Sequence, residues 1–222
     1  EIQPYQVYNK LKKLKISKSS HTNDIPLRLV REFAVELSVP LSIIFNSCLQ
    51  SGLFPEYWKI GNIIPIPKVN PCNSLDQLRP ISVTPVFARV FEEFLVEWIR
   101  RDIADHIDPR QFGSVRGSST VHYLLSLVDC ILRETDKSGT IASICTVDYA
   151  KAFDAIDHTV LVTKMINMGV SKSIISVVCD FLSNRSQTVR LAWWHYLSSS
   201  IHNMWCPTGH QAWPNPISDH DQ

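Results

Sequence analysis

CTVDYAKAFDAIDH, residues 145–158, is the stretch on which the reading of this chain turns. An apolar run climbs into Asp148, and Asp154, Asp157 and His158 follow within ten residues. TIASICTVD (140–148) is β-branched, apolar and bounded by Gly139, which predicts a buried strand ending on a carboxylate. A buried carboxylate without a partner is costly, or it takes up a proton. Two readings follow. The aspartates cap and solubilise a turn, or Asp148 holds a divalent cation that removes the cost. Mg²⁺ takes oxygen ligands, commonly one or two carboxylates plus substrate phosphates. Two such ions, roughly 3.5–4 Å apart, activate an attacking oxygen and stabilise a leaving one in phosphoryl-type transfer. Asp154 reads as a solvated turn acid. Asp157 reads as the N-cap of a helix through Lys164 that stops at Gly169, with His158 in its first turn.

The totals bound the rest. The 222 residues are 45% hydrophobic, enough for one large domain or two small ones. Only 19% are charged and seven are Gly, which excludes a disordered or fibrous chain. A net charge of +1 gives no global attraction to nucleic acid or membrane, so any polyanion site is a local patch. The six cysteines, at 48, 72, 130, 145, 179 and 206, form no CxxC pair, and several lie in apolar runs. That predicts a reduced, intracellular protein with buried thiols and no disulfide partner. EIQPYQVYNK lacks the apolar core of a signal peptide, and no run nears the roughly 20 apolar residues of a membrane helix, so no membrane partner is expected. Without an initiating Met the sequence reads as an excerpt of something longer.

Outward from the aspartates, the chain is mostly helical in pattern. Val7, Leu11 and Leu14 share one face of a basic N-terminal helix with Lys10, Lys12, Lys13 and Lys15 around it. The lysines form either a solvated face or a nucleic-acid patch. SKSSHTNDIP (17–26) is a loop. Helices are predicted over about 26–38 and over 40–52, the second capped by Gly52. NIIPIPK (62–68) is extended, and Pro65 and Pro67 exclude a central strand, leaving an edge strand or a polyproline-like run. VFARVFEEFLVEWIRRDIADHI (86–107) carries Val86, Phe87, Val90, Phe91, Phe94, Leu95, Ile99 and Ile103 at helical spacing, and these aromatics read as core rather than a base-stacking platform. After the loop QFGSVRGSST (111–120) comes an amphipathic helix with Val121, Leu124, Leu125, Val128 and Leu132. IISVVCDFLS (174–183) reads as helix and QTVRLAW (187–193) as strand. Long helices with few strands make an α+β architecture.

TVDYAKAFDAIDH resembles the first catalytic motif of reverse transcriptases from non-LTR (LINE-type, jockey-like) retrotransposons, typically an aromatic-DF-x-KAFD-x-x-DH string. Further segments are similar to that family in its own order. These are LKISKSSHTNDIP, with Thr22-Asn23 where Gly-Pro is usual, and IFNSCLQSGLFPEYWKIGNIIPIPK, which leads to P-x-P-K. Next come LRPISVTPVFARVFEEFL with its RPIS, QFGSVRGSST with QFG-x-x-x-G-x-ST, and FLSNRSQTVRL with L-x-NR-x-Q-x-V. The resemblance spans about residues 11–192.

The resemblance implies a right-hand polymerase fold, with helical fingers plus an incomplete palm sheet. Residues 1–20 would be a basic N-terminal helix, 21–140 fingers, 141–204 the first part of the palm and 205–222 a degenerate tail. It implies an RNA-directed DNA polymerase, a nucleotidyltransferase working on an RNA template, a DNA primer and dNTP with two Mg²⁺ ions. Asp148 would be the catalytic metal ligand, joined by the backbone carbonyl of Tyr149. Phe153 would exclude a ribose 2′-hydroxyl, the group that separates the two sugars. Lys68 and Arg79 would grip the triphosphate, Arg through its fork of donors. Gly113 and Gly117 would approach the template backbone. Each has a plainer alternative: Phe153 as core, Lys68 as a solvated lysine, Arg79 paired with a fingers carboxylate, the glycines as turn formers.

The family's G-x-PQG-x-x-LGP loop is represented by WCPTGHQAWP (205–214). Pro207, Gly209 and Pro214 hold their places, but Trp205 and Trp213 replace glycines and Thr208 replaces Gln. His202, Cys206 and His210, widely spaced and without a fourth partner, do not make a zinc site. Asp219 and Asp221 are not the expected aromatic-x-Asp-Asp hairpin. One of three expected carboxylates is present, so the chain as given is expected not to polymerise alone. Half a palm sheet also implies an unpaired edge. The alternative from another class is a non-catalytic remnant that binds nucleic acid or a partner.

Overall fold

The computed structural model describes residues 1–16, 24–137, 139–149, 152–153 and 155–189. The expectations for the loop 17–23, Asp154, Arg190–Trp193 and everything from His202 onward lie outside them. The described residues divide into two compact units. One joins Glu1–Glu97 to the residues from Ser171 on, and the other is Trp98–Val170.

In the first unit, α1 (Pro4–Lys12) buries Val7 and Leu11 against α3 (Ala34–Ser51). Asn46 of α3 fixes the start of the chain, accepting from the Ile2 N–H and donating to the Ile2 carbonyl, both at 2.8 Å. Lys10 turns inward over the Phe94 ring and pairs with Glu97 at 2.8 Å and Glu93 at 3.4 Å. It is therefore a packing residue, while Lys12, Lys13 and Lys15 stay exposed. The expected helix boundary at 38–40 is displaced. α2 (Leu27–Glu32) ends at Phe33, and α3 runs straight through Pro40. Proline forfeits one helical hydrogen bond, but Ala34, Ser38, Leu41, Ser42 and Phe45 are all buried at helical spacing around it. Gly52 closes α3 as expected, in the left-handed region at φ 69° with its N–H on the Cys48 carbonyl at 2.9 Å.

A 3-10 turn (Glu56–Lys59) leads into β1 (Ile60–Pro67), followed by β2 (Leu78–Val83) and α4 (Val86–Asp102). The sheet order is β2-β1-β3, so β1 is central, against the sequence reading. The prolines are reconciled by where each neighbour ends. β3 (Ser186–Val189) pairs in parallel only with Ile60–Ile63, whereas antiparallel pairing with β2 runs from Asn62 to Pro67. Among the described residues, Pro65 and Pro67 thus lie where β1 has β2 as its single neighbour. Pro65 faces Pro80, a position where neither residue has an N–H to exchange. The core is aromatic. Phe45 stacks on Phe91 at 4.9 Å, Phe54 on Phe91 at 5.7 Å, and Trp58 meets both Phe45 and Phe54 edge-on. α7 (Lys172–Leu182) closes it, with Phe181 edge-on to Phe54 at 5.0 Å. Phe91 and Phe94 of α4 are core, as their periodicity implied, and Phe87 is half-buried.

The second unit holds α5 (Thr120–Thr135) and α6 (His158–Asn167). α6 starts as expected: Asp157 accepts from the N–H groups of Thr159 (2.7 Å) and Val160 (3.1 Å). One expectation fails here and one is met. TIASICTVD forms no strand and is exposed along its length, with Ile141 95% and Val147 75% accessible. A strand needs a ladder partner, and among the described residues none pairs with this segment. α5 forms, but no residue on it is buried, and Leu125 is 63% accessible. The thiols follow the same division. Cys48 is buried, whereas Cys130 and Cys145, on these two segments, are exposed.

Candidate nucleotide-binding site

The β1–β2 hairpin places Lys68 and Arg79. Lys68 follows β1, and its N–H donates to the Gln77 carbonyl at 2.7 Å, extending the ladder one step past Pro67. Arg79 stands opposite Ile66. Side chains two apart on a strand share a face, as do directly opposed pairs. Ile66, Lys68 and Arg79 therefore lie on one face of the hairpin, the two cations as diagonal neighbours. Both are exposed. No carboxylate of the described residues pairs with Arg79.

The aspartate segment is open. Asp148 is exposed, and Tyr149 and Phe153 are 77% and 80% accessible, which excludes Phe153 as a core residue. Among the described residues no three His, Cys, Asp or Glu converge as a ready metal cage. Asp157 is held by its cap, and the N–H groups of Val160 and Thr159 keep its carboxyl below the usual range. It is structural, as read.

The loop before α5 is shaped locally. Gly117 sits at φ 81° with nothing within 4 Å of where a Cβ would stand. Its glycine serves the left-handed backbone. Gly113 has no positive φ, and its carbonyl accepts from the Gln111 side chain at 2.8 Å.

Residues 66–209, more than half of the chain, match the family described as reverse transcriptase (RNA-dependent DNA polymerase). The chain belongs to the reverse transcriptase family. The matched span contains the hairpin cations, the glycine loop and Asp148. Over 184 residues the chain is 28% identical to the RNA-directed DNA polymerase from mobile element jockey of Drosophila melanogaster, covering 82% of this chain and 20% of that protein. It is 30% identical over 167 residues to the probable RNA-directed DNA polymerase from transposon X-element of the same species, covering 74% and 18%. A retrovirus-related Pol polyprotein from the type-2 retrotransposable element R2DM, also of Drosophila melanogaster, is 27% identical over 135 residues, covering 61% and 12%. The jockey-like kinship expected from the motifs is thus found, and the reverse transcriptase fragment spans about a fifth of the length of the curated relatives it matches. No helix among the described residues is long and apolar enough to cross a membrane.

Sequence reasoning missed two buried ionic groups in the first unit. Lys59, 5% accessible, pairs with Asp180 of α7 at 2.8 Å, and Asp180 also accepts the Phe54 N–H at 2.6 Å. Burial pushes the Glu92 carboxyl of α4 up against the pull of Arg185 and Arg89, and Arg185 lies over the Phe181 ring at 4.2 Å. The available signal was a carboxylate, Asp180, in the otherwise apolar helix IISVVCDFL.

Proposed function

We propose that this chain is the nucleotide-gripping part of an RNA-directed DNA polymerase. In that reading a primer 3′-hydroxyl attacks the α-phosphate of a dNTP chosen by an RNA template. Residues 21–140 act as fingers and 141–204 as the first part of the palm. Lys68 and Arg79 bind triphosphate oxygens from the hairpin face, Arg79 by two parallel hydrogen bonds and Lys68 as a point charge. Asp148 offers a carboxylate, and the Tyr149 carbonyl a second oxygen, to a divalent ion that the nucleotide's own phosphates complete. This donor set fits Mg²⁺, which is commonly held by one or two carboxylates plus phosphate. Bound Mg²⁺ supplies charge neutralisation at the phosphates and polarises the primer hydroxyl. The exposed Phe153 ring lies five residues on, available to a sugar face where a 2′-hydroxyl would be excluded. Gly113 and Gly117 let the loop backbone approach the template.

The observation that carries this reading is the pair of exposed cations sharing one hairpin face, inside the span that matches the family. Fluorescence anisotropy of a labelled dNTP in Mg²⁺ tests it. Lys68→Ala and Arg79→Ala should each weaken binding about tenfold or more, the scale of a charge-assisted hydrogen bond of ~1.5–3 kcal/mol. Equal binding by both variants and the parent would overturn the site. Salt-dependent binding of an RNA–DNA duplex with no response to dNTP would instead favour a non-catalytic nucleic-acid-binding role.

A further inference from the structure

Residues 52–59 join α3 to β1, and one side of α7 holds this connector at both ends. At its start, a Cβ on Gly52 would stand 2.9 Å from the Ser176 Cβ, so the α3 cap and α7 are in close approach. The Phe54 N–H then donates to Asp180 Oδ2 at 2.6 Å, and Lys59 Nζ meets the same oxygen at 2.8 Å. The buried Phe54 ring lies edge-on to Phe181 at 5.0 Å. Ser176 and Asp180 are four apart on α7, as are Val177 and Phe181 beside them, so these contacts come from adjacent rows of one helix side. Between the two held ends the Trp58 N–H closes a turn on the Pro55 carbonyl at 2.9 Å. β1 starts at Ile60, immediately after Lys59. α7 follows the aspartate segment in sequence, yet it is built into the unit that carries the hairpin.

Stability alone is a poor reason for a charge pair here. Lys59 is buried, and desolvating two charges costs about as much as their attraction returns, so an apolar pair of similar volume is often as stable. What an apolar pair does not supply is direction. One oxygen that accepts from a backbone N–H and from an ammonium fixes where the two ends of the connector sit. It thereby fixes the line on which β1 leaves the core. We infer that Asp180, acting through Lys59 and the Phe54 N–H, is a positioning residue that aims the β1–β2 hairpin and with it Lys68 and Arg79. The value of this for nucleotide binding rests on the function proposed above; the aim of the hairpin does not.

Double electron–electron resonance on this chain tests it. Genetically encoded spin-labelled residues replace Ser74, in the β1–β2 connection, and Gln50 on α3, both exposed. A control pair replaces Lys13, after α1, and Gln50. In the double variant Lys59→Met/Asp180→Leu the thermal midpoint should lie above that of Lys59→Met alone. The 74–50 distance distribution should nevertheless broaden, while the 13–50 distribution holds. Asp180→Glu keeps the charge on a longer arm, and should shift the 74–50 distance rather than broaden it. Unchanged 74–50 distributions in both variants overturn the proposal. So does equal broadening of the control pair, which marks a general structural role. If one variant fails to fold, the other decides. Labelled dNTP binding is read on the same chains and should weaken several-fold in both variants. A hairpin that moves as expected in a chain whose parent binds no dNTP refutes the nucleotide reading and supports the positioning.

Discussion

α4 and α5 are of similar length and both carry a clean apolar stripe, yet one is core and the other is bare. Val86, Val90, Phe91, Phe94 and Leu95 of α4 are buried, while Val121, Leu124, Leu125, Val128 and Leu132 of α5 are all exposed. Periodicity states that a helix has an apolar side. It does not state that a partner surface is at hand. α4 meets Phe45, Phe54 and Trp58, donated by α3 and the turn before β1. The same difference separates the two candidate chemical segments. The hairpin cations stand on a paired sheet anchored by buried charges, whereas Asp148 ends a segment with no ladder partner among the described residues. The hairpin is preorganised within its own unit, and the aspartate segment has no such frame among the described residues.

The largest expected effect breaks the comparison at its root. Phe91→Ala should cost about 3–5 kcal/mol by urea denaturation, because the ring touches three other aromatics in a filled core. Next is Lys59→Met, which strands Asp180. A fully buried pair broken on one side costs about 3–5 kcal/mol, and a quarter-exposed Asp180 reduces that to about 2–3. Gly52→Ala should cost about 2 kcal/mol, since φ is 69° and the new Cβ would stand 2.9 Å from the Ser176 Cβ, whereas Gly117→Ala, with open space, should cost about 1. Leu125→Ala on α5 should change stability by under about 0.5 kcal/mol. A cost near that of Phe91→Ala would show that α5 has a buried partner after all.

The two regions should also respond oppositely to pH. Burial pushes the Glu92 carboxyl up, against the pull of Arg185 and Arg89. Its folded form binds a proton more readily than its unfolded form, so its contribution is full at low pH and is lost as pH rises from the ordinary carboxylate range through the raised value. Asp157 is held down by the N–H groups of Val160 and Thr159. Its contribution is present above the ordinary value and disappears as pH falls through the depressed one. Hydrogen-exchange protection of α6, taken relative to the intrinsic rate at each pH, should therefore fall towards acid. The Glu92→Gln variant should lack the component of global stability that the parent loses towards neutral pH.

Much of this was legible in the residues. The Gly52 cap, the Asp157 cap, the α4 stripe and the hairpin residues all obey local rules that depend on a few neighbours. What was not legible depended on distant partners. Pro65 and Pro67 argued against a central strand because one-dimensional reading cannot tell that, among the described residues, β1 pairs with β3 only as far as Ile63. TIASICTVD looked like a buried strand because β-branched content reports fitness for a sheet, while the sheet itself must come from elsewhere in sequence. Pro40 looked like a boundary because its lost hydrogen bond is local, and the packing that outweighs it is not. Lys59 and Asp180, 121 positions apart, gave almost no signal to pair. Of the candidate site, the identity of the cations and of Asp148 could be read from motifs, but the shared face of Lys68 and Arg79 required the β1–β2 register.

Photo-crosslinking a dNTP analogue in Mg²⁺, followed by peptide mapping, tests the central claim most directly. The account predicts adducts competed by unlabelled dNTP, concentrated on the hairpin around Lys68 and Arg79 and on residues 148–153. Competed adducts confined to other segments, or adducts on the hairpin that dNTP does not displace, would contradict it.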